Sequence, residues 1–145
     1  MSIKKKGTSP IGSSGYWLDE VRATSDLRLV FNFSFLCSDD KYNLKNSDID
    51  HRRLLARLEE LSQRTWVALT ILPKSSGIER VSKSNLSGRL KDMPDPKGFG
   101  DKRLKYATDK VAIIRLNGKA RLIGKLIDQT FYLFWIDLNH ELYKG

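Results

Sequence analysis

A single cysteine, Cys37, stands in the whole chain, which excludes an internal disulfide. Neither Cys nor His clusters anywhere, since the two histidines lie far apart at His51 and His140, so no zinc motif and no metal site is expected. Cys37 closes an apolar run beside Asp39 and Asp40, whose charges disfavour a thiolate, so it reads as packing rather than as a nucleophile. No hydrophobic run approaches the roughly 18 to 20 residues that a membrane span requires. Lys4, Lys5 and Lys6 are followed by no apolar stretch, so a secretory signal is not expected and a cytoplasmic location is. Phosphate-loop and Ser-His-Asp signatures are missing as well, and no cofactor is implied.

What is abundant is positive charge. The 145 residues carry 26 Lys and Arg against 17 Asp and Glu, a formal net charge of +9. Such an excess draws the protein toward polyanions or anionic surfaces. Apolar residues make up 40% of the chain, enough for a core, and the length suits one domain. Residues 1 to 15 are rich in Lys, Gly and Ser and read as a flexible basic arm, leaving residues 16 to 145 as a single α+β domain.

Within that domain, Leu27, Leu29, Phe31, Phe33 and Phe35 alternate with polar residues, the period of a strand with one buried face. Ser47 starts a helix over about 48 to 63, with Asp50 at its third position and Leu54, Leu55, Leu58 and Leu61 at helical spacing. Thr65 caps a second, short helix through Trp66, Leu69 and Leu72, stopped by Pro73. Residues 82 to 108 hold Gly88, Pro94, Pro96, Gly98 and Gly100 with seven Lys or Arg and no sustained period. They read as a long basic loop, a length that is uncommon in a compact domain unless functional or disordered.

The C-terminal third reads as a three-stranded antiparallel meander: Lys110 to Leu116, Lys119 to Leu126 and Thr130 to Ile136, joined by turns at Asn117-Gly118 and Asp128-Gln129. Asn-Gly between apolar runs signals a two-residue type I′ hairpin. That turn pairs Leu116 with Lys119 and Ile114 with Arg121, and sends Arg115 and Arg121 to opposite faces. Ile113, Leu122, Phe131, Leu133 and Trp135 then share a core face. Lys119, Arg121, Lys125 and Tyr132 share the other, cations beside an aromatic ring, which suits a phosphate backbone and an adjacent base. Ile114, Ile123, Phe134 and Ile136 fall on that second face too, so a two-sided core is equally open.

Just past the last strand stand His140 and Tyr143. Cleavage of RNA by its own 2′-hydroxyl needs a base, an acid and cations on the phosphate, and His, Tyr or Glu with Arg or Lys supply them. Glu79, after Gly77, is a second candidate carboxylate base.

The segments "RLNGKARLIG" and "FYLFWIDLNHELY", with the order strand, helix pair, meander, resemble the RelE/ParE-like toxins. These are small basic proteins of bacterial toxin–antitoxin systems, many of which cut messenger RNA on the ribosome. The stretch "LEELSQRTW…GIERV…FYLFWID…LY" also resembles small prophage-borne proteins. The resemblance implies a RelE-like fold and a metal-independent endoribonuclease, with RNA, the ribosome and a cognate antitoxin as partners and no membrane. It implies Arg121 at the scissile phosphate, and His140 and Tyr143 in acid–base or stacking work. Lys119, Lys125, Arg115 and Tyr132 would hold the RNA. Two alternatives stand beside it: a non-catalytic nucleic-acid binder or host-enzyme inhibitor of the same fold, and a protein–protein module that meets an acidic partner.

Overall fold

The computed structural model describes residues 26 to 143 except 87, 104, 105 and 107. The basic arm at 1 to 15 lies outside the described residues.

Five strands form one mixed sheet in the order β1-β5-β4-β3-β2. They are β1 (Val30–Asn32), β2 (Ile78–Ser82), β3 (Lys110–Arg115), β4 (Arg121–Ile127) and β5 (Thr130–Asp137). Strands β2 to β5 pair antiparallel, and β1 runs parallel to β5 at the edge. The α+β class expected from sequence is present. The sheet nevertheless gains an edge strand, β2, in a stretch to which no element was assigned, and the expected first strand shrinks to three residues.

Two helices, α1 (His51–Ser62) and α2 (Trp66–Ile71), cover one face. Helix α1 begins later than the Ser47 start signal suggests because Asp50, not Ser47, is the N-cap, its Oδ1 accepting from the Arg53 amide at 3.1 Å. Leu54, Leu58 and Leu61 lie on one side of it and are buried, whereas Leu55 faces solvent. Thr65 caps α2 as expected, accepting from the Ala68 amide at 3.2 Å. These helices pack on Ile78, Ala112, Ile114, Leu122, Leu126, Phe131, Leu133 and Ile136. Fully burying one such Leu, Ile or Phe stabilises by about 1.5 to 3 kcal/mol.

The other face is covered too. The described residues of the expected loop at 82 to 108 fold over it through 3-10 turns at Lys83–Asn85, Arg89–Asp92 and Phe99–Asp101. Leu86, Leu90 and Phe99 enter a second core with Tyr42, Val111, Ile113, Ile123, Phe134 and Trp135. Its glycines serve this path, for Gly88 and Gly98 take φ of 83° and 87°, values that a side chain disfavours. The reading of a two-sided core is therefore the one realised.

The hairpin register differs from the expected one. Neither Asn117 nor Gly118 has a positive φ, so the turn is not type I′. Instead Asn117 Oδ1 accepts from the amides of both Lys119 and Ala120, at 3.2 and 3.0 Å, and the Leu116 amide donates to Ala120 O at 2.9 Å. This side-chain capping widens the turn to include Lys119. Arg115 consequently stands opposite Arg121, and Ile113 opposite Ile123. A β-bulge then shifts β4 against β5 between Ile123 and Gly124, so Trp135 pairs with Ile123 and Tyr132 with Lys125. Ile113 and Trp135 therefore leave the face that sequence assigned them and join the second core.

Candidate functional site

Cross-strand pairing sets the site. Residues directly opposite one another share a face, so Glu79, Ile113, Ile123 and Trp135 make one row and Arg115, Arg121 and Asp137 the next. Both rows project toward the second core.

The tail then folds back over them. Asp137 is fully buried, and its carboxylate accepts from the amides of Glu141 at 2.9 Å and Leu142 at 2.7 Å. Between them His140 takes a φ of 57°, the left-handed conformation that reverses the chain. The Leu90 amide donates to Leu142 O at 2.8 Å, tying the tail to the covering segment. Tyr143 thus lands on the sheet, where its Oη donates to Glu79 Oε2 at 2.8 Å. The His140 ring lies 6.0 Å from the Tyr143 ring, tilted by 48°.

Five of the sequence candidates, Glu79, Arg115, Arg121, His140 and Tyr143, are thereby brought to one end of the sheet. Their exposure divides them. Arg121 and Tyr143 are buried, whereas Glu79, Arg115 and His140 are half-buried. Arg121 Nη1 donates to the carbonyls of Asn117 at 3.2 Å, Gly118 at 3.0 Å and Ala120 at 3.2 Å, so this guanidinium clamps the hairpin turn. Burial and then the Arg115 charge lower its pKa, against the opposing pull of Glu79, Asp137 and Tyr143. Burial, followed by the bond to Glu79 and its charge, pushes the Tyr143 phenol up to about 12. Tyr143 is therefore a neutral hydrogen-bond donor at physiological pH.

The remaining candidates are elsewhere. Lys119 is exposed in the turn. Lys125, expected on an RNA-facing surface, is buried: its Nζ donates to Thr108 O at 2.5 Å and lies 3.9 Å from Asp95. Burial lowers its pKa, with the Asp95 charge acting in the opposite direction. Tyr132 packs edge-on against Phe99 at 5.3 Å, and Arg103 sits 5.5 Å from the Tyr132 ring. The covering segment thus encloses Lys125 and Tyr132, and both serve the second core. Cys37 is half-buried, and burial raises its thiol pKa, in keeping with a packing role.

Sequence reasoning missed Arg57 and Asp137. Arg57 lies off the leucine face of α1, yet its Nε donates to Arg115 O at 3.0 Å and its Nη2 to Ser76 O at 3.3 Å. Asp137 lies just past the expected end of the third strand, and its carboxylate binds amides four and five positions on, a contact that no short sequence pattern marks.

No protein-family model matches the chain, nor does any curated protein or solved structure.

Proposed function

We propose that this protein is an endoribonuclease of the RelE-like toxin kind, acting in the cytoplasm on RNA, with messenger RNA on the ribosome as its natural substrate and an antitoxin as its partner. One observation carries the reading: Glu79, Arg115 and His140, a carboxylate, a guanidinium and an imidazole, converge half-buried around the Tyr143–Glu79 hydrogen bond of 2.8 Å. The net charge of +9 supports a polyanionic substrate.

In this reading Glu79, oriented by Tyr143, takes the proton of the ribose 2′-hydroxyl. The freed oxygen attacks the neighbouring phosphorus, the bond from phosphorus to the 5′-oxygen breaks, and His140 in its protonated form supplies the proton to that oxygen. The products are a 2′,3′-cyclic phosphate and a 5′-hydroxyl. Arg115 neutralises charge that builds on the phosphoryl oxygens. Arg121 holds the turn and adds positive field, a positioning residue rather than the phosphate ligand that the resemblance implies.

A second reading is favoured by the burial of Arg121 and Tyr143, which suits a rigid non-catalytic binder of nucleic acid. Expression in bacteria of the wild type, of Glu79→Gln and of His140→Ala separates the two. The nuclease reading expects growth arrest and new RNA ends with the wild type only. Arrest by all three without new ends selects the binder.

A further inference from the structure

On the helix side of the sheet lies an open cavity of about 350 Å³ bordered by Trp66, Arg80, Tyr106, Leu126, Ile127 and Asp128. We propose that it receives a guanine base of the RNA, as a recognition site apart from the reacting cluster; it rests on the reading of the protein as an RNA enzyme.

The register places this cavity. Glu79 projects toward the second core, so Arg80, the next residue of β2, projects to the opposite face of the sheet. On that face Trp66, at the start of α2, and Leu126 of β4 belong to the helix-side core. Leu126 lies about 17 Å along β4 from Arg121. The cavity thus differs from the cluster both in face and in end of the sheet, and a base seated there belongs to a nucleotide away from the cut.

Arg80 and Asp128 come from different elements, are exposed, and border the same space. Among the described residues neither side chain makes a hydrogen bond or an ion pair. A guanidinium and a carboxylate at one cavity that do not pair leave a donor set and an acceptor set for a ligand that carries both complements. Two aromatic rings border the same space, Tyr106 at 59% exposure and Trp66 half-buried. RNA bases stack on such rings while their edges hydrogen-bond to neighbouring side chains. Guanine suits this set. Its O6 and N7 accept from an arginine fork, and its N1–H and 2-amino group donate together to one carboxylate. No other RNA base presents two acceptors on one edge and two adjacent donor groups on another.

The test titrates the full-length protein with free nucleosides, which carry no phosphate, and follows the Trp66 indole N–H resonance by NMR, assigned with Trp66→Phe. Guanosine is expected to shift it and to saturate at a concentration roughly tenfold below that needed for adenosine, cytidine or uridine. Inosine, which lacks the 2-amino group, should bind several-fold more weakly than guanosine. Asp128→Asn, whose side chain tolerates the left-handed backbone of that turn (φ 50°), should erase the difference between guanosine and inosine. Arg80→Gln should weaken both by roughly tenfold and keep that difference, a pattern that general damage to the fold cannot produce. The site is overturned if guanosine leaves Trp66 unmoved, if all the nucleosides saturate alike, or if both variants bind as the wild type does. Uncut RNA with these shifts intact removes the nuclease reading and leaves the guanine site standing. Cut RNA with none of them removes the guanine site alone.

Discussion

Arg115 and Arg121 stand directly opposite each other across β3 and β4 and share one face of the sheet. Two like charges so paired repel, and the arrangement persists because each is committed differently. Arg121 is 4% exposed and bound to three carbonyls, while Arg115 is half-buried and its Nε makes no hydrogen bond.

This division predicts opposite phenotypes. Arg121→Ala removes charged hydrogen bonds to the turn and empties buried space, and should cost about 3 kcal/mol in urea unfolding. Arg115→Ala should cost about 1 kcal/mol or less, yet weaken RNA binding more than Arg121→Lys does. Equal stability loss for the two alanine variants would sink the distinction.

The bulge in β4 makes a sharper structural prediction. A Cβ at Gly124 would lie 1.8 Å from Tyr132 O, a backbone atom, and 3.2 Å from Leu133 Cα. Gly124→Ala should therefore destabilise by more than about 3 kcal/mol or prevent folding. Gly118→Ala, with open space around it and a negative φ, should stay within about 0.5 kcal/mol of the wild type. Thermal unfolding of both proteins checks the pair.

Tyr143 gives a pH signature. Its folded pKa of about 12 exceeds the ordinary 10.0, so on raising the pH the unfolded chain loses this proton first. The stabilisation is complete below pH 10 and is lost as the pH climbs toward 12, a change of about 3 kcal/mol at most. Ultraviolet titration should show a tyrosine transition near 12 that is missing from Tyr143→Phe, whose stability should fall less steeply over the same interval. A Tyr143 that ionises with the exposed tyrosines would contradict the buried bond to Glu79.

Much of the fold was legible because its signals are local. Thr65 as a cap, the Asp128-Gln129 turn and the strands at Lys110 and Thr130 all rest on residues adjacent in sequence. The register was not, because Asn117 Oδ1 binds two amides and widens a turn that Asn-Gly usually keeps at two residues. One residue of slip turned the inferred faces of Arg115 and Arg121 from opposite to shared. Residues 82 to 108 hid their role for a different reason. Leu86, Leu90 and Phe99 are buried without periodic spacing, since an irregular segment has no period to betray its inner side. His140, Tyr143, Glu79 and Arg121 were each named from residue type, but their meeting depends on the capping of the tail by Asp137, a contact that composition cannot announce.

The most direct measurement is the chemistry of RNA ends after incubation with purified protein, on free messenger RNA and on ribosome-bound messenger RNA. Cleavage by the Glu79, Arg115 and His140 cluster predicts new 2′,3′-cyclic phosphate and 5′-hydroxyl ends with the wild type, and none with Glu79→Gln at matched folding. No new ends from the wild type on either substrate, or the same ends from Glu79→Gln, would contradict it.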